Sequence, residues 1–219
     1  MMGHRAAVAV RLLLVLAAFV GVASCAVTDP TLYYTLGRGA VSSSPAGTTQ
    51  AKADVPTPLR SVAGTGAVGV GVGPVIMPGY LDRVMIVTRT SADTVAIANF
   101  HRWAEPLEDG IARVLTDEIA ARVPTERVVM FPWRGVVARD LQYQVVIVVL
   151  LFDGRPGGAV TLDTRWRILS RDGKELLVKR STVTESATAP GYEAMVAAMT
   201  RALVALGGDI AAEIRALPS

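Results

Sequence analysis

One cysteine, Cys25, and two histidines, His4 and His101, are all that 219 residues contain of the side chains most used for metal binding and thiol chemistry. A lone thiol forms no intrachain disulfide, so the fold must rest on core burial even where the compartment permits disulfides. Without a leader carrying His4, only His101 remains, and a site needing two or three imidazoles in one chain is excluded. No GxSxG elbow is present to expose a serine nucleophile. Arginines and lysines are scattered among acids, and removing Arg5 and Arg11 with the leader lowers the formal charge from +3 by two. A nucleic-acid footprint needs clustered cations, so that partner is excluded. No internal repeat is evident.

The N-terminus has the layout of a secretory signal. His4, Arg5 and Arg11 form its positive start and Leu12 to Val22 its apolar run. The unbroken apolar segment from Leu12 to Ser24 has 13 residues, whereas a bilayer span needs about 20. Extending it to Ala6 buries Arg11, at a cost of about 3 kcal/mol near the bilayer centre. The small residues Ala23 and Ser24 directly before Cys25 resemble a lipobox, in which the thiol is acylated and the preceding peptide bond cut. Residues 1–24 are therefore expected to be a signal peptide and Cys25 a lipidated N-terminus. Two or more acyl chains make a stable tether, where one holds only reversibly. Ala26 rather than Asp follows Cys25, which by the enteric sorting rule favours the outer membrane, facing the periplasm.

Residues 25–36 comprise the lipidated end and a short aromatic strand, Leu32 to Leu36. Residues 37–66 turn to Ser, Thr, Pro, Gly and Ala and have too little apolar surface to fold alone. They read as a flexible insertion that either gives reach from the membrane or links the first strand to the rest. Residues 67–219 carry regular patterning, with strands expected at Val68 to Val75, Met85 to Thr90 and Val95 to Trp103. A helix follows, with Pro106 in its first turn and Leu107, Ile111, Val114, Leu115, Ile119 and Val123 at helical spacing. Further strands are expected at Arg127 to Phe131, Leu141 to Phe152, Val160 to Leu169 and Leu176 to Glu185, the last two joined by a turn at Asp172-Gly173. A long helix from Tyr192 closes the chain, with a kink expected at Gly207-Gly208. This order predicts one α+β domain, an antiparallel sheet with two helices packed on one face.

Candidate chemistry is sparse. Gly64-Thr65-Gly66-Ala67-Val68-Gly69 has GxGxxG spacing but lacks the strand before and helix after that a pyrophosphate requires. His101 reads as a strand-end side chain. Glu105, Glu108 and Asp109 suit a helix N-terminus, Asp117 and Glu118 a solvated face, and Asp153 and Asp172, beside glycines, turns. The Met and Leu stripe of the last helix reads as core, with a lipid- or partner-binding face as the rival.

One constellation is more specific: Val70-Gly71-Val72-Gly73-Pro74-Val75, Pro78-Gly79-Tyr80-Leu81-Asp82-Arg83, Ile86-Val87-Thr88-Arg89 and Arg102-Trp103-Ala104-Glu105-Pro106-Leu107, preceded by Tyr33-Tyr34-Thr35-Leu36. It resembles the ABC-type transport auxiliary lipoprotein family over nearly the whole mature chain, departing across the insertion and at Val84-Met85, where the family more often has Pro-Gln. The resemblance implies an outer-membrane-tethered accessory subunit of an MCE-type system, partnered by an MCE-domain protein and an inner-membrane transporter component. It implies no chemistry and no cofactor, and makes a homo-oligomeric assembly an expectation. Functional residues would then be contact residues, with Tyr80, Leu81, Asp82, Arg83, Arg102 and Trp103 as candidates. Pro78-Gly79 bends the chain there, so the Tyr-Leu-Asp-Arg run serves either a partner or a structural turn in which Asp82 and Arg83 satisfy each other.

Overall fold

Strand β6 (Leu141–Gly154) is apolar on both faces over Val145 to Val149, and it is the strand against which the rest is assembled. The computed structural model describes residues 30–37, 69–125 and 127–217. The leader, Cys25 and nearly all of the 37–66 insertion lie outside the described residues. Thr31–Ser219 forms one compact unit.

The remaining elements are β1 (Leu32–Tyr34), β2 (Gly69–Ile76), β3 (Met85–Arg89), β4 (Val95–Trp103), α1 (Leu107–Arg122), β5 (Val128–Met130), a short α2 (Val136–Asp140), β7 (Ala159–Ser170), β8 (Glu175–Ser186) and α3 (Tyr192–Ala216). They build a five-stranded sheet in the order β5-β2-β6-β7-β8 and a three-stranded sheet in the order β1-β4-β3. The α+β architecture in one domain is the expected one, but both sheets are mixed. Pairs β6–β7, β7–β8 and β3–β4 are antiparallel, whereas β1–β4, β2–β5 and β2–β6 are parallel. Hairpin signals reveal only sequential pairs, and each parallel pair here joins strands separated by a long crossover.

Helix α1 packs on β2 and β5, α3 on β6, β7 and β8, and the two helices pack on each other. The alternation in β7 explains this: Val160, Leu162, Trp166 and Ile168 are buried against the helices while Arg165 and Arg167 are exposed. Met195, Leu203, Leu206 and Ile210 of α3 are fully buried among them, so this helix, long and apolar enough to cross a membrane, is core here. Ile86, Val87, Ala98 and Trp103 of the smaller sheet join the same core cluster.

Two sets of glycines have packing reasons. In β2, Val70 and Val72 are fully buried, while a Cβ at Gly71 would stand 2.9 Å from Trp133 and one at Gly73 2.6 Å from the Cβ of Phe131. The connection after β5 thus lies directly on β2, which a side chain at either glycine would prevent. Helix α3 runs without a break through Gly207-Gly208. Gly207 is where α3 meets α1: a Cβ there would lie 2.7 Å from the Cβ of Glu118.

Candidate functional site

The Pro78-to-Arg83 segment is a tight turn, closed by hydrogen bonds from the Leu81 amide to the Pro78 carbonyl (2.9 Å) and from the Arg83 amide to the Leu81 carbonyl (2.8 Å). Its residues divide by burial. Leu81 is 3% exposed and belongs to the core. Tyr80 packs partly against that core, and its hydroxyl lies 3.4 Å from Oδ2 of Asp153. Asp82 and Arg83 are exposed. The two do not satisfy each other: the Nε of Arg83 donates to the Tyr80 carbonyl at 3.1 Å, and no ion pair joins Arg83 to Asp82.

Asp153 is 3% exposed and stands inside β6 rather than in a turn. Nε and Nη2 of Arg89 both reach its Oδ2 at 2.8 Å, and Nη1 of Arg89 donates to the Ala92 carbonyl at 2.7 Å. Burying a carboxylate without a partner is very costly, and here the cation is supplied from β3. The hydrogen bond to Asp153 holds the Arg89 pKa above its ordinary value. Burial, and then the charge of Asp153, push the Tyr80 hydroxyl upward. A cavity of about 360 Å³ beside this cluster is lined by Arg89, Ser91, Asp153, Arg155 and Thr161. Its charged groups are engaged: Arg89 pairs with Asp153, and Arg155 donates to the carbonyl oxygens of Arg89 (2.9 Å) and Thr90 (2.5 Å). The cluster fastens the β3–β4 hairpin to the end of β6.

Arg102 and Trp103 also part company. Trp103 is 6% exposed, in the core, and its amide donates to the Val84 carbonyl at 2.7 Å. Arg102 pairs in register with Tyr33 on one side and Met85 on the other; among the described residues it makes no ion pair, and its buried Nε has no hydrogen-bond partner. Leu81 and Trp103 therefore offer no contact surface, because apolar side chains at those positions complete the core. Cys25 lies outside the described residues.

Sequence reasoning missed one cluster. The Tyr34 hydroxyl lies 2.8 Å from Nδ1 of His101, and Tyr192, at the start of α3, stacks on the imidazole with ring centroids 3.8 Å apart. Burial, followed by the charge of Glu193, pushes the Tyr34 pKa upward. No local signal links three residues so far apart in sequence. Among the described residues no group of three metal-ligating side chains comes together.

The fold is a mixed α+β domain whose core is filled by the stripe of its long last helix. The family model for the ABC-type transport auxiliary lipoprotein component matches residues 38–211, and the chain belongs to that family. Over 145 residues it is 30% identical to the intermembrane transport lipoprotein PqiC of Escherichia coli (strain K12), an alignment covering 66% of this chain and 73% of that protein. The PqiC of Shigella flexneri matches equally. A crystal structure of an uncharacterized protein shares the fold with a TM-score of 0.63 at 22% identity, covering 85% of this chain and 99% of the other. A crystal structure of a protein from Xanthomonas campestris does so at 0.57 and 17%, covering 66% and 82%.

Proposed function

We propose that this protein is an outer-membrane-anchored, periplasm-facing, non-catalytic subunit that docks an MCE-type intermembrane lipid transport system to the membrane holding its acylated Cys25. Family membership across residues 38–211 carries the reading. Its transport character follows the PqiC relatives, which are intermembrane transport lipoproteins. The non-catalytic part is supported by the occupation of the reactive groups. His101 is held between Tyr34 and Tyr192, and Asp153 is held by Arg89. A stand-alone lipid carrier would need the α3 stripe to line a cavity, and that stripe is packed into the core.

Asp82 and Arg83, exposed on a turn whose backbone is fixed by its own hydrogen bonds, are the partner-contact residues this reading assigns. The partners are an MCE-domain protein and, through it, an inner-membrane transporter component, with a homo-oligomer of this chain facing the ring of MCE domains. The test is extraction from native membranes in mild detergent, followed by mass spectrometry of the co-purifying proteins and lipids. An MCE protein is expected without stoichiometric lipid, and Asp82→Lys with Arg83→Glu should reduce its recovery while leaving the melting temperature in place. Bound lipid with no protein partner would replace this reading with the carrier.

A further inference from the structure

The position of β1 in the chain sets how far the domain can stand from its anchor. Seven peptide steps separate Cys25 from Leu32, and a fully extended chain covers at most about 3.6 Å per step, so β1 begins within about 25 Å of the anchoring residue. A domain of about 150 residues has a radius of gyration of about 15 Å and is about 40 Å across. The leash is therefore shorter than the domain it holds. The 37–66 insertion does not lengthen it, because it joins β1 to β2 and both belong to the domain.

The end of the leash is fixed. β1 pairs in parallel with β4 through Leu32 to His101, Tyr33 to Arg102 and Tyr34 to Trp103. Leu36 is buried in the core, and its carbonyl accepts a hydrogen bond from Nη2 of Arg113 at 2.7 Å. Around this entry point the three-stranded sheet exposes large apolar side chains: Leu32 at 48%, Tyr33 at 62%, Ile97 at 43% and Phe100 at 42%. The register places Tyr33 and Arg102 on one face, and among the described residues Arg102 has no acidic partner. Aromatic and aliphatic side chains beside an unpaired arginine suit the headgroup boundary of a bilayer, where rings lie in the acyl border and guanidinium meets phosphate.

We infer that the three-stranded sheet lies on the bilayer surface that holds the acyl chains, with Tyr33, Ile97 and Phe100 in the headgroup layer. The opposite end, with the β7–β8 turn at Asp172, then faces away into the aqueous space. That turn is far from the small sheet because Ser170 pairs with Tyr143 near the start of β6, whereas Arg89 of β3 meets Asp153 near its end. This orientation rests on the reading of Cys25 as the anchor.

Acylation consumes the only native thiol, so a cysteine placed elsewhere is the one free thiol of the mature lipoprotein. Tyr33→Cys, Ile97→Cys and Asp172→Cys forms, each exposed in the parent, are labelled with an environment-sensitive fluorophore. They are then reconstituted into vesicles of phosphatidylethanolamine and phosphatidylglycerol containing a headgroup nitroxide lipid. Quenching at positions 33 and 97 is expected to exceed that at 172 several-fold. Equal quenching at all three sites, in protein that floats with the vesicles and carries acyl chains on Cys25 by mass spectrometry, overturns the orientation. Protein that lacks acyl chains and does not float overturns the anchor itself, and the orientation with it. The two label sites on different strands guard against loss of β1 pairing in one variant.

Discussion

Arg89 and Asp153 meet at 2.8 Å across 64 intervening sequence steps, one partner 26% exposed and the other 3%. The pair ties β3 to β6 and, with Tyr80, adds a polar fastening to the apolar contacts that Ile86, Val87, Ala98 and Trp103 of the smaller sheet make in the shared core. Removing the arginine strands a buried carboxylate. Arg89→Ala is expected to destabilise by about 3 kcal/mol, read from the urea midpoint at unchanged slope. Arg89→Met with Asp153→Leu should recover most of that loss, since both charges leave together.

The paired glycines of α3 should respond with opposite signs. Gly207→Ala places a Cβ 2.7 Å from that of Glu118, and overpacking of this kind costs about 1–3 kcal/mol, more than the roughly 1 kcal/mol of helix propensity gained. At Gly208 the nearest neighbour is Nε of Arg122 at 3.7 Å, an ordinary contact. Gly208→Ala should therefore stabilise by about 0.5–1 kcal/mol. Thermal melts of the two variants separate the cases.

Acid should weaken the β7–β8 pairing through Asp163. Its carboxylate accepts from Nε (2.9 Å) and Nη2 (2.6 Å) of Arg180, and these hydrogen bonds hold its pKa below the ordinary value. A carboxylate depressed in the folded state contributes stability that is complete above its unfolded pKa, about 3.9, and is lost as pH falls through the folded one. Arg180→Gln should flatten that acid-side loss when unfolding curves are compared above and below about pH 4.

Glu108 has the opposite sign. Burial, then the charges of Asp109 and Asp82, raise its pKa above the ordinary value. The folded state then binds this proton more tightly, and stability falls as pH rises from the unfolded pKa toward the folded one. Asp82→Asn removes one of the repelling charges, so the Glu108 titration followed by NMR should move to lower pH. An unmoved midpoint would show that Asp82 does not reach it.

Much of the domain was legible because its determinants are local. The alternation Leu162, Trp166, Ile168 against Asp163, Arg165, Arg167 marks β7, and Asp172-Gly173 marks the turn into β8, where Gly173 has φ of 77°. The helical spacing from Leu107 to Ile119 marks α1. Asp153 was misleading for the same reason: its neighbour Gly154 suggests a turn, but Arg89, far away in sequence, makes burial inside β6 affordable.

Of the candidate contact residues, the bend at Pro78-Gly79 was readable from the residue types alone. Which side chains of that bend face water was not, since Leu81 and Asp82 are neighbours in sequence and differ only in what the folded core places beside them. The same holds for Arg102 and Trp103, whose opposite fates follow from the two faces of β4.

Residue identity and short-range spacing were enough for the family, the α+β class and the strand and helix periods. Tertiary structure decided the parallel pairings, the contact of Gly207 with Glu118, the Tyr34–His101–Tyr192 cluster and the Arg89–Asp153 bond. These depend on which distant segments the shared core brings to one place. It also made the 37–66 segment an internal connection, because β1 before it pairs with β4 and β2 after it stands in the larger sheet.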